Sequence, residues 1–529
     1  MNKLAKKIIS VASAAVIFTG MFGFSACGGK KNNSPDTLYI EAAQLGYGLD
    51  WLDAIASAWS KESGYKYKIT RKVGKEGTSA ITTEIESLAS SHDIFIYRGS
   101  DLAKKVYQGG VTVKGKKYDN VYLDLTDVVN AELSGEGGAT IASKLNSSYK
   151  NTYEINGKYY GLPWMEGIMG IIRNVDVWNG LGLTDADVPV TTDQMFAICD
   201  RIKSLAAGSE KYTEVAPFMY CAEDEYYSSF MFAWFMQYEG TENVQKYLEG
   251  KDPNGNISKD LFSYDGQREM FNVVEKLVSN KNGYQHKKSE SLNFTSMQGQ
   301  FLKGQAVFCV NGAWVELEQG SSFPNVKIDY IKTPIISALS QKLSYYDADD
   351  AEGNDEKLAA IVKYVNGQTT EKPSFATDAD IEIVRDASKY QFASQGGVHV
   401  LSASSYSPRT ELIKSFITYM YSDKGLKEYY KATNGATLPL SLSKNASYDD
   451  VKLSTFQKSV QSIDRNTVFV FNPSSKMFAI GGVDFKMFNG NASDYIKKLY
   501  DGSLTSATVI TANKSYMENN WTQISSKIR

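Results

Sequence analysis

Strand-like and helix-like patterns alternate along the first part of this 529-residue chain, and this alternation constrains the fold most. Strands alternate apolar residues with period two, whereas apolar residues at i, i+3, i+4 and i+7 mark one face of a helix. A strand–helix–strand order favours parallel strands with helical crossovers, so we expect an α/β fold with a parallel-rich sheet. The pattern consists of strand 37–42, a stripe of Leu52, Ile55, Ala56 and Trp59 ending at Gly64, strand 65–69, a stripe of Ile81, Ile85 and Leu88, and strand 93–97.

The N-terminal segment has the pattern of a bacterial lipoprotein signal. Three lysines precede an apolar run over residues 8–24, which is short and interrupted for a membrane span and leads into a Phe-Ser-Ala-Cys box. We therefore expect a signal peptide over 1–26 and lipid attachment at Cys27. The alternative is an ordinary secretory signal with a chance cysteine. Residues 27–35 are small and polar, and we expect a tether that holds the body on the extracellular face of the cytoplasmic membrane.

Length and composition place the body among globular proteins of more than one domain. Roughly 500 residues follow the tether, which is more than one hydrophobic core supports. The hydrophobic fraction of 42% is that of an ordinary globular protein. The net charge of -3 shows no excess of basic residues, so we expect no nucleic-acid partner. Beyond Cys27 the cysteines are Cys199, Cys221 and Cys309, without a CxxC pair, so we expect no disulfide framework.

The sequence patterns for metals and nucleotides are incomplete. His92, His286 and His399 are far apart and do not have the spacing of a metal site or a catalytic triad. Residues 110–117 almost match a phosphate-binding loop but end in Lys where Ser or Thr would hold magnesium, so we expect a turn. These patterns predict no cofactor and no bound metal.

Three acidic segments leave other chemistries open. Residues 347–356 are acidic, but their glycine is displaced from the position that a calcium-binding loop requires. Residues 252–256 could bind calcium through oxygen atoms, although a plain turn is the simpler explanation. Residues 223–225 could supply the carboxylate pair of a glycoside hydrolase, because two carboxylates at the correct separation suffice.

Three sets of short segments occur along the chain in the same order as the signature segments of a known protein family. The sets are 159–164 (Tyr-Tyr-Gly-Leu-Pro-Trp) with 170–174 and 180–182, then 301–307 with 311–314, and finally 396–400 with 435–439. Behind a lipoprotein signal, they resemble the signatures of the extracellular solute-binding proteins of bacterial ABC importers, in particular the group that binds sugars. Arg173 stands where an aromatic residue is commoner in that family.

The resemblance implies a two-lobed, periplasmic-binding-protein-like α/β fold, with hinge crossings and a ligand cleft between the lobes. By analogy, lobe 1 covers 36–162 and 393–434, and lobe 2 covers 163–392 and 435–529, with an insertion at about 337–390. Such a protein closes by hinge bending, and the closed form is stabilised by contacts of the ligand with both lobes.

The resemblance also suggests candidates for a sugar site. Sugar rings present C–H faces that stack on aromatic side chains, and hydroxyl edges that bond to polar ones. Trp314 corresponds to a Trp that often stacks on sugar in the family, and the alternative is a core Trp. Trp164 and Glu166 follow the expected first hinge and are placed to face the cleft.

Further candidates come from two loops and two more segments of the chain. Loops at the carboxyl ends of parallel strands bind ligands in open α/β sheets. One such loop contains Gln44 and Tyr47, and the other runs from Arg98 to Asp101. The remaining candidates are Glu225 and Tyr226, which resemble a ligand-contact region of the family or else form a solvated acidic turn, and Gly397 in the last set of segments.

We therefore expect a lipid-anchored, non-catalytic, monomeric receptor. It would capture a carbohydrate, most simply an oligosaccharide, and deliver it to the permease subunits of an ABC transporter. Two alternatives remain open at this point. One is a binding protein for another solute, such as a polyol phosphate or a peptide, and the other is an extracellular glycoside hydrolase.

Overall fold

The structure is a computed structural model, and it describes most of the chain beyond the N-terminal segment. The described residues are 34–73, 77–99, 101–221, 226–394, 399–444, 446–447, 449, 451–463, 466–470, 474–479 and 492–528. Cys27 and the site candidates Glu225 and Gly397 lie outside them. Among the helices of the described residues, none combines the length and the apolar character that crossing a membrane requires.

Strands and helices alternate along the described residues. The strands are β1 (Thr37–Ala43), β2 (Lys66–Lys72), β3 (Ile94–Tyr97), β4 (Val111–Val113), β5 (Lys116–Tyr118), β6 (Glu154–Ile155), β7 (Lys158–Tyr159), β8 (Gly161–Pro163), β9 (Met169–Asn174), β10 (Ala216–Met219), β11 (Ala306–Gly312), β12 (Ile328–Tyr330), β13 (Tyr390–Ser394), β14 (Val400–Ala403) and β15 (Asn466–Phe469).

The first ten helices are α1 (Asp50–Ser63), α2 (Gly77–Glu86), α3 (Leu102–Gln108), α4 (Thr126–Asn130), α5 (Ile141–Lys144), α6 (Ser147–Tyr153), α7 (Val175–Gly180), α8 (Thr192–Ala207), α9 (Tyr226–Phe230) and α10 (Phe232–Leu248). The later helices are α11 (Asp265–Val278), α12 (Phe294–Leu302), α13 (Val315–Gln319), α14 (Ala351–Val365), α15 (Asp378–Ala387), α16 (Thr410–Tyr421), α17 (Asp423–Thr433), α18 (Thr455–Gln461), α19 (Lys476–Ala479), α20 (Ala492–Asp501) and α21 (Ser506–Ser525). Short 3₁₀ helices cover Asp185–Asp187, Lys259–Phe262, Ser289–Ser291 and Ser337–Lys342.

The alternation predicted for the N-terminal part of the body is confirmed by the elements β1 to β3. Helix α1 buries the predicted stripe, including Leu52 and Trp59, against the sheet. It ends where predicted, because Gly64 adopts a left-handed conformation (φ 76°) and donates its N–H to the Ser60 carbonyl at 3.0 Å. Glycine is favoured at this position because it has no Cβ to clash there.

The first sheet has five strands in the order β2-β1-β3-β14-β8. Strand β1 pairs in parallel with both β2 and β3, which confirms the expected parallel arrangement. Strand β14 then pairs antiparallel with β3 and with β8. This sheet therefore combines three strands from the start of the body with β8 and with β14, which comes from much later in the chain.

The second sheet has the order β10-β11-β9-β13-β15, and β12 adds to β9. Strands β10 and β11 are parallel, as are β13 and β15, whereas β9 is antiparallel to β11, β12 and β13. Helices α12 and α13 lie at either end of β11, and both contribute to the site described below. Two sheets of mixed direction, each with its own helices, thus make up the body.

The structure shows the outcome of the predictions for the turn at 110–117, the acidic segment 347–356 and the cysteines. Residues 110–117 contain the turn of the β4–β5 hairpin, with Lys114 and Gly115 at φ 51° and 81°, so the predicted turn is confirmed. Within the acidic segment 347–356, Asp350 caps α14 by accepting a hydrogen bond from the Gly353 N–H at 3.0 Å. Cys199, Cys221 and Cys309 are buried, and none of them forms a disulfide within the described residues.

Candidate functional site

A cleft of about 940 Å³ lies where elements of the two sheets meet. One side is built from loops at the carboxyl ends of β1 and β3, together with α2 and α17, and the other from α12 and α13. The ends of parallel strands are where open α/β sheets bind ligands. The lining residues are Gln44, Leu45, Gly46, Tyr47, Gly48, Asp50, Trp51, Val73, Thr78, Ser79, Arg98, Phe294, Leu317, Glu318 and Ala432.

The loop after β1 forms the centre of the first side of the cleft. It is fixed at its start by the Gln44 N–H, which donates to the Lys72 carbonyl at 2.8 Å. At its end, the Gly48 N–H donates to the Leu45 carbonyl at 2.8 Å, and the Gly48 carbonyl accepts from the Trp51 Nε1–H at 3.0 Å. Two backbone hydrogen bonds and an indole therefore hold the predicted residues Gln44 and Tyr47 at the cleft.

Trp314 lies directly after β11, where the chain turns into α13, and its side chain is 9% exposed. The Tyr47 and Tyr226 rings meet it edge-on, at centroid distances of 6.2 and 5.8 Å. A Cβ at Gly46 would lie 2.8 Å from Trp314 Cγ, and one at Gly312 would lie 2.2 Å from the six-membered ring. The absence of side chains at these two glycines therefore makes room for the indole between the two sides of the cleft.

Glu318 provides a carboxylate on the second side of the cleft. Its Oε2 accepts a hydrogen bond from Gln298 Nε2 at 2.8 Å. Its side chain is open to the cleft, but the surrounding protein still removes water from it, and this burial raises the pKa of Glu318. Glu318 follows Trp314 by four residues, which places both on one face of a helical turn, and this spacing is the sequence signal that could have identified it.

The sequence-predicted residues separate into two groups. Gln44, Tyr47 and Arg98 line the cleft, and Tyr226 and Trp314 pack beside it. The remaining described candidates, Asp101, Trp164 and Glu166, are not among the lining residues.

These three residues have partners away from the cleft. Asp101 accepts a hydrogen bond from the Tyr97 hydroxyl at 3.1 Å, and burial raises its pKa. Trp164 is fully buried and stacks on Trp51, with ring centroids 5.6 Å apart. Glu166 is buried, and its carboxylate accepts a hydrogen bond from the Thr467 hydroxyl at 2.7 Å. In this conformation, none of the three offers a surface to a ligand in the cleft.

The cleft combines aromatic surface with varied polar groups. Tyr47 and Phe294 supply the rings, with the fully buried Trp51 behind them, and Gln44, Thr78 and Ser79 supply an amide and two hydroxyls. Charged groups of both signs complete the lining, namely Asp50, Arg98 and Glu318. Such a set can donate hydrogen bonds to a ligand, accept them from it, and stack on apolar faces. The carboxylates of residues 223–225, considered above for glycoside hydrolysis, lie outside the described residues.

Comparison with solved structures shows the fold. RafE from Streptococcus pneumoniae in its apo form is 16% identical, with a TM-score of 0.56, and the match covers 92% of this chain and 99% of that one. RafE in complex with raffinose gives the same identity and TM-score, covering 91% and 99%. A cyclo/maltodextrin-binding protein complexed with maltotetraose is 14% identical, with a TM-score of 0.55 and coverages of 93% and 98%. The expected two-lobed α/β fold is thereby confirmed.

A third neighbour is a probable secreted solute-binding lipoprotein from Streptomyces coelicolor, 14% identical with a TM-score of 0.57 and coverages of 92% and 99%. A search of curated proteins gave no match. The family model described as bacterial extracellular solute-binding protein matches residues 42–427, which include both sheets apart from part of β1 and the last strand. The chain therefore belongs to the bacterial extracellular solute-binding protein family.

Proposed function

We propose that this protein is an extracellular, lipid-anchored receptor that captures an oligosaccharide and delivers it to the permease of an ABC transporter. The observation that carries the proposal is the cleft, where neutral hydrogen-bonding groups of the first side and aromatic rings of both sides border a common space. Its volume of about 940 Å³ lies near the upper end of the range for small-molecule sites, which favours a ligand of several rings over a single sugar.

In this proposal, the protein has two lobes with the boundaries expected from the sequence. Lobe 1 comprises 36–162 and 393–434, and lobe 2 comprises 163–392 and 435–529. The loop 44–48 belongs to the first lobe, and the lining residues Phe294 and Glu318 belong to the second, so a ligand in the cleft would contact both. Contacts with both lobes favour the closed form over the open one, because only the closed form makes them simultaneously.

The charges of the cleft bear on the choice of solute. Arg98 alone would favour a phosphate-bearing solute such as a polyol phosphate. Asp50 and Glu318 line the same cleft, however, and their carboxylates disfavour a dianionic ligand. A neutral, hydroxyl-rich ligand satisfies both kinds of group, which is why we propose a carbohydrate.

A ligand panel tests the proposal. The protein is heated with neutral oligosaccharides, sugar phosphates and short peptides, and the unfolding midpoint is recorded. An oligosaccharide that binds the folded state raises the midpoint, by an amount that grows with its concentration above Kd. Chromatography of the recovered oligosaccharide then separates a receptor from a glycoside hydrolase. Shifts with phosphates or peptides alone would contradict the carbohydrate assignment, and shortened sugar would contradict the non-catalytic role.

The membrane anchor is tested separately at Cys27. Replacing Cys27 with Ser removes the thiol that would carry the lipid, so the protein is expected to leave the membrane fraction for the medium. Cell fractionation after a salt wash measures this change, with Cys199→Ser as a control that keeps the proposed anchor. Retention of the Cys27→Ser protein in the washed membranes would contradict lipid attachment.

A further inference from the structure

Three side chains of the kinds that bind metal ions meet beneath helix α2, outside the lining of the cleft. Glu41 belongs to β1, Glu84 to α2, and His92 precedes β3. One ligand atom from each lies within 4.8 Å of the others. Glu41 and Glu84 are 43 positions apart in the sequence, so no local spacing in the sequence indicates this cluster.

The distances within the cluster fit a single metal ion. His92 Nδ1 lies 2.8 Å from Glu84 Oε1 and 3.6 Å from Glu41 Oε2. Nitrogen and oxygen ligands about 2.0 to 2.2 Å from a tetrahedral zinc ion are themselves about 3.3 to 3.6 Å apart. The two observed distances bracket this separation, so small side-chain rotations suffice to bring all three atoms to one ion.

Each of the three side chains also has an outer partner that orients it. His92 Nε2 is 3.0 Å from the Thr70 hydroxyl, and the Ser90 hydroxyl donates to Glu84 Oε1. The Lys72 ammonium is 2.9 Å from Glu41 Oε1, which leaves Oε2 as the atom nearer His92. Outer partners of this kind fix the tautomer and direction of ligating groups in metal sites.

Glu41 supplies an independent reason to expect a cation. Its side chain is 0% exposed, and while Oε1 is paired with the Lys72 ammonium, Oε2 accepts no hydrogen bond from any described residue. A buried carboxylate without such partners is costly. Lys72 compensates one oxygen only in part, since its own side chain is 33% exposed and a second carboxylate, that of Glu84, stands nearby.

We propose that Glu41, Glu84 and His92 bind a divalent late first-row transition metal, for which Zn²⁺ is the probe. The imidazole ligand disfavours Ca²⁺ and Mg²⁺, which take oxygen ligands in larger number. Three protein ligands leave the fourth tetrahedral position for water. The ion would join β1, α2 and the start of β3, and α2 also carries Thr78 and Ser79 at the cleft, so the metal would stabilise one wall of the ligand site.

Calorimetric titration of the untagged, chelator-treated protein with Zn²⁺ tests the site. We expect one ion per chain and a higher unfolding midpoint with the metal, because Zn²⁺ binds the folded state. His92→Gln and Glu84→Gln are each expected to weaken Zn²⁺ binding at least ten-fold. Having two variants keeps the test decisive if one of them does not fold.

His286→Gln is the matched control, because His286 is a buried histidine that lies outside the cluster. It is expected to bind Zn²⁺ like the parent protein. The proposal is overturned if the parent binds no stoichiometric Zn²⁺, or if both cluster variants bind it as tightly as the parent does. The latter result would indicate an adventitious ion only. Neither outcome depends on which solute occupies the cleft.

Discussion

Two tryptophans that the sequence nominates for the same role lie in different surroundings. Trp164 is fully buried, with Trp51, Tyr421 and Tyr429 around it at centroid distances of 5.6, 5.2 and 5.5 Å. Trp314 keeps 9% of its surface and lies between the loop after β1 and the end of β11. The first belongs to the packing behind the cleft, and the second to the contact between its two sides.

The difference matters because the same substitution should then change different quantities. A ring enclosed by other rings contributes mainly to the free energy of unfolding. A ring at a cleft can contribute to ligand affinity, because its contacts change when a ligand enters. Trp51 connects the two regions, since it both lines the cleft and stacks on Trp164.

Trp164→Ala is expected to have the largest effect, a loss of about 3 to 5 kcal/mol in the free energy of unfolding, because truncation leaves a large cavity. Urea denaturation measures this loss. Trp164→Phe is the matched control and should lose less, since it keeps a ring and removes an indole N–H that has no acceptor among the described residues. A stable Trp164→Ala protein with lost ligand affinity would reverse our comparison of the two tryptophans.

The buried region should also respond to pH through His399, whose ring lies 5.7 Å from that of Trp51. Burial lowers the pKa of His399 to about 4, and its Nε2–H donates to the Ala43 carbonyl at 2.9 Å. The unfolded chain, with a His pKa of about 6.5, binds this proton more readily. Stability from neutral His399 is therefore complete above about pH 6.5 and falls as the pH drops towards 4, by about 3 kcal/mol in all.

Urea denaturation between pH 4 and pH 7 measures this slope. His399→Gln should reduce it, because glutamine can still donate to the Ala43 carbonyl but does not titrate. The difference in slope between the two proteins isolates the contribution of His399 from those of other groups. Identical slopes would show that His399 has a similar pKa in the folded and unfolded chains.

Trp314→Ala is expected to change binding instead. If the indole contacts the ligand, affinity falls by about 1 to 3 kcal/mol, which is roughly five- to 150-fold. Calorimetry with the oligosaccharide identified in the panel measures this change, and urea denaturation of the same variant measures stability. Normal affinity with about 3 to 5 kcal/mol less stability would make Trp314 a core residue like Trp164.

The sequence predicts the parts of this molecule that depend on local patterns. Strands β1 to β3 and helix α1 follow from apolar periodicity and from Gly64 at the helix end. Gln44 and Arg98 follow from the rule that strand ends carry binding loops, and the structure places both at the cleft. Local pattern does not predict that β14, far along the chain, pairs antiparallel between β3 and β8. That pairing depends on tertiary packing.

The same distinction applies to individual side chains. Trp164 and Trp314 both follow strands and both have the chemistry of a sugar platform, so local pattern does not separate them, although the family resemblance favours Trp314. Only the packing of α1 and α17 around Trp164 separates them, through Trp51 and Tyr429. Phe294 lines the cleft because α12 begins there, which depends on how that helix packs on β11.

Gly46→Ala is expected to have the smallest effect of these substitutions. It tests a single contact, the one between the loop after β1 and the Trp314 indole. The added methyl carbon would lie 2.8 Å from Trp314 Cγ and 3.0 Å from Cβ and Cδ1, so the loop or the indole must shift. Gly312 closes the other end of the ring, which leaves the loop as the part that moves. We expect about 1 kcal/mol of lost affinity, or roughly five-fold, and a loss of stability of about 1 kcal/mol from the overpacked contact. Gly299→Ala is the control, since its added methyl meets no atom within 4 Å. Unchanged affinity in Gly46→Ala, measured beside a weakened Trp314→Ala, would show that the indole contacts the ligand without help from the loop after β1.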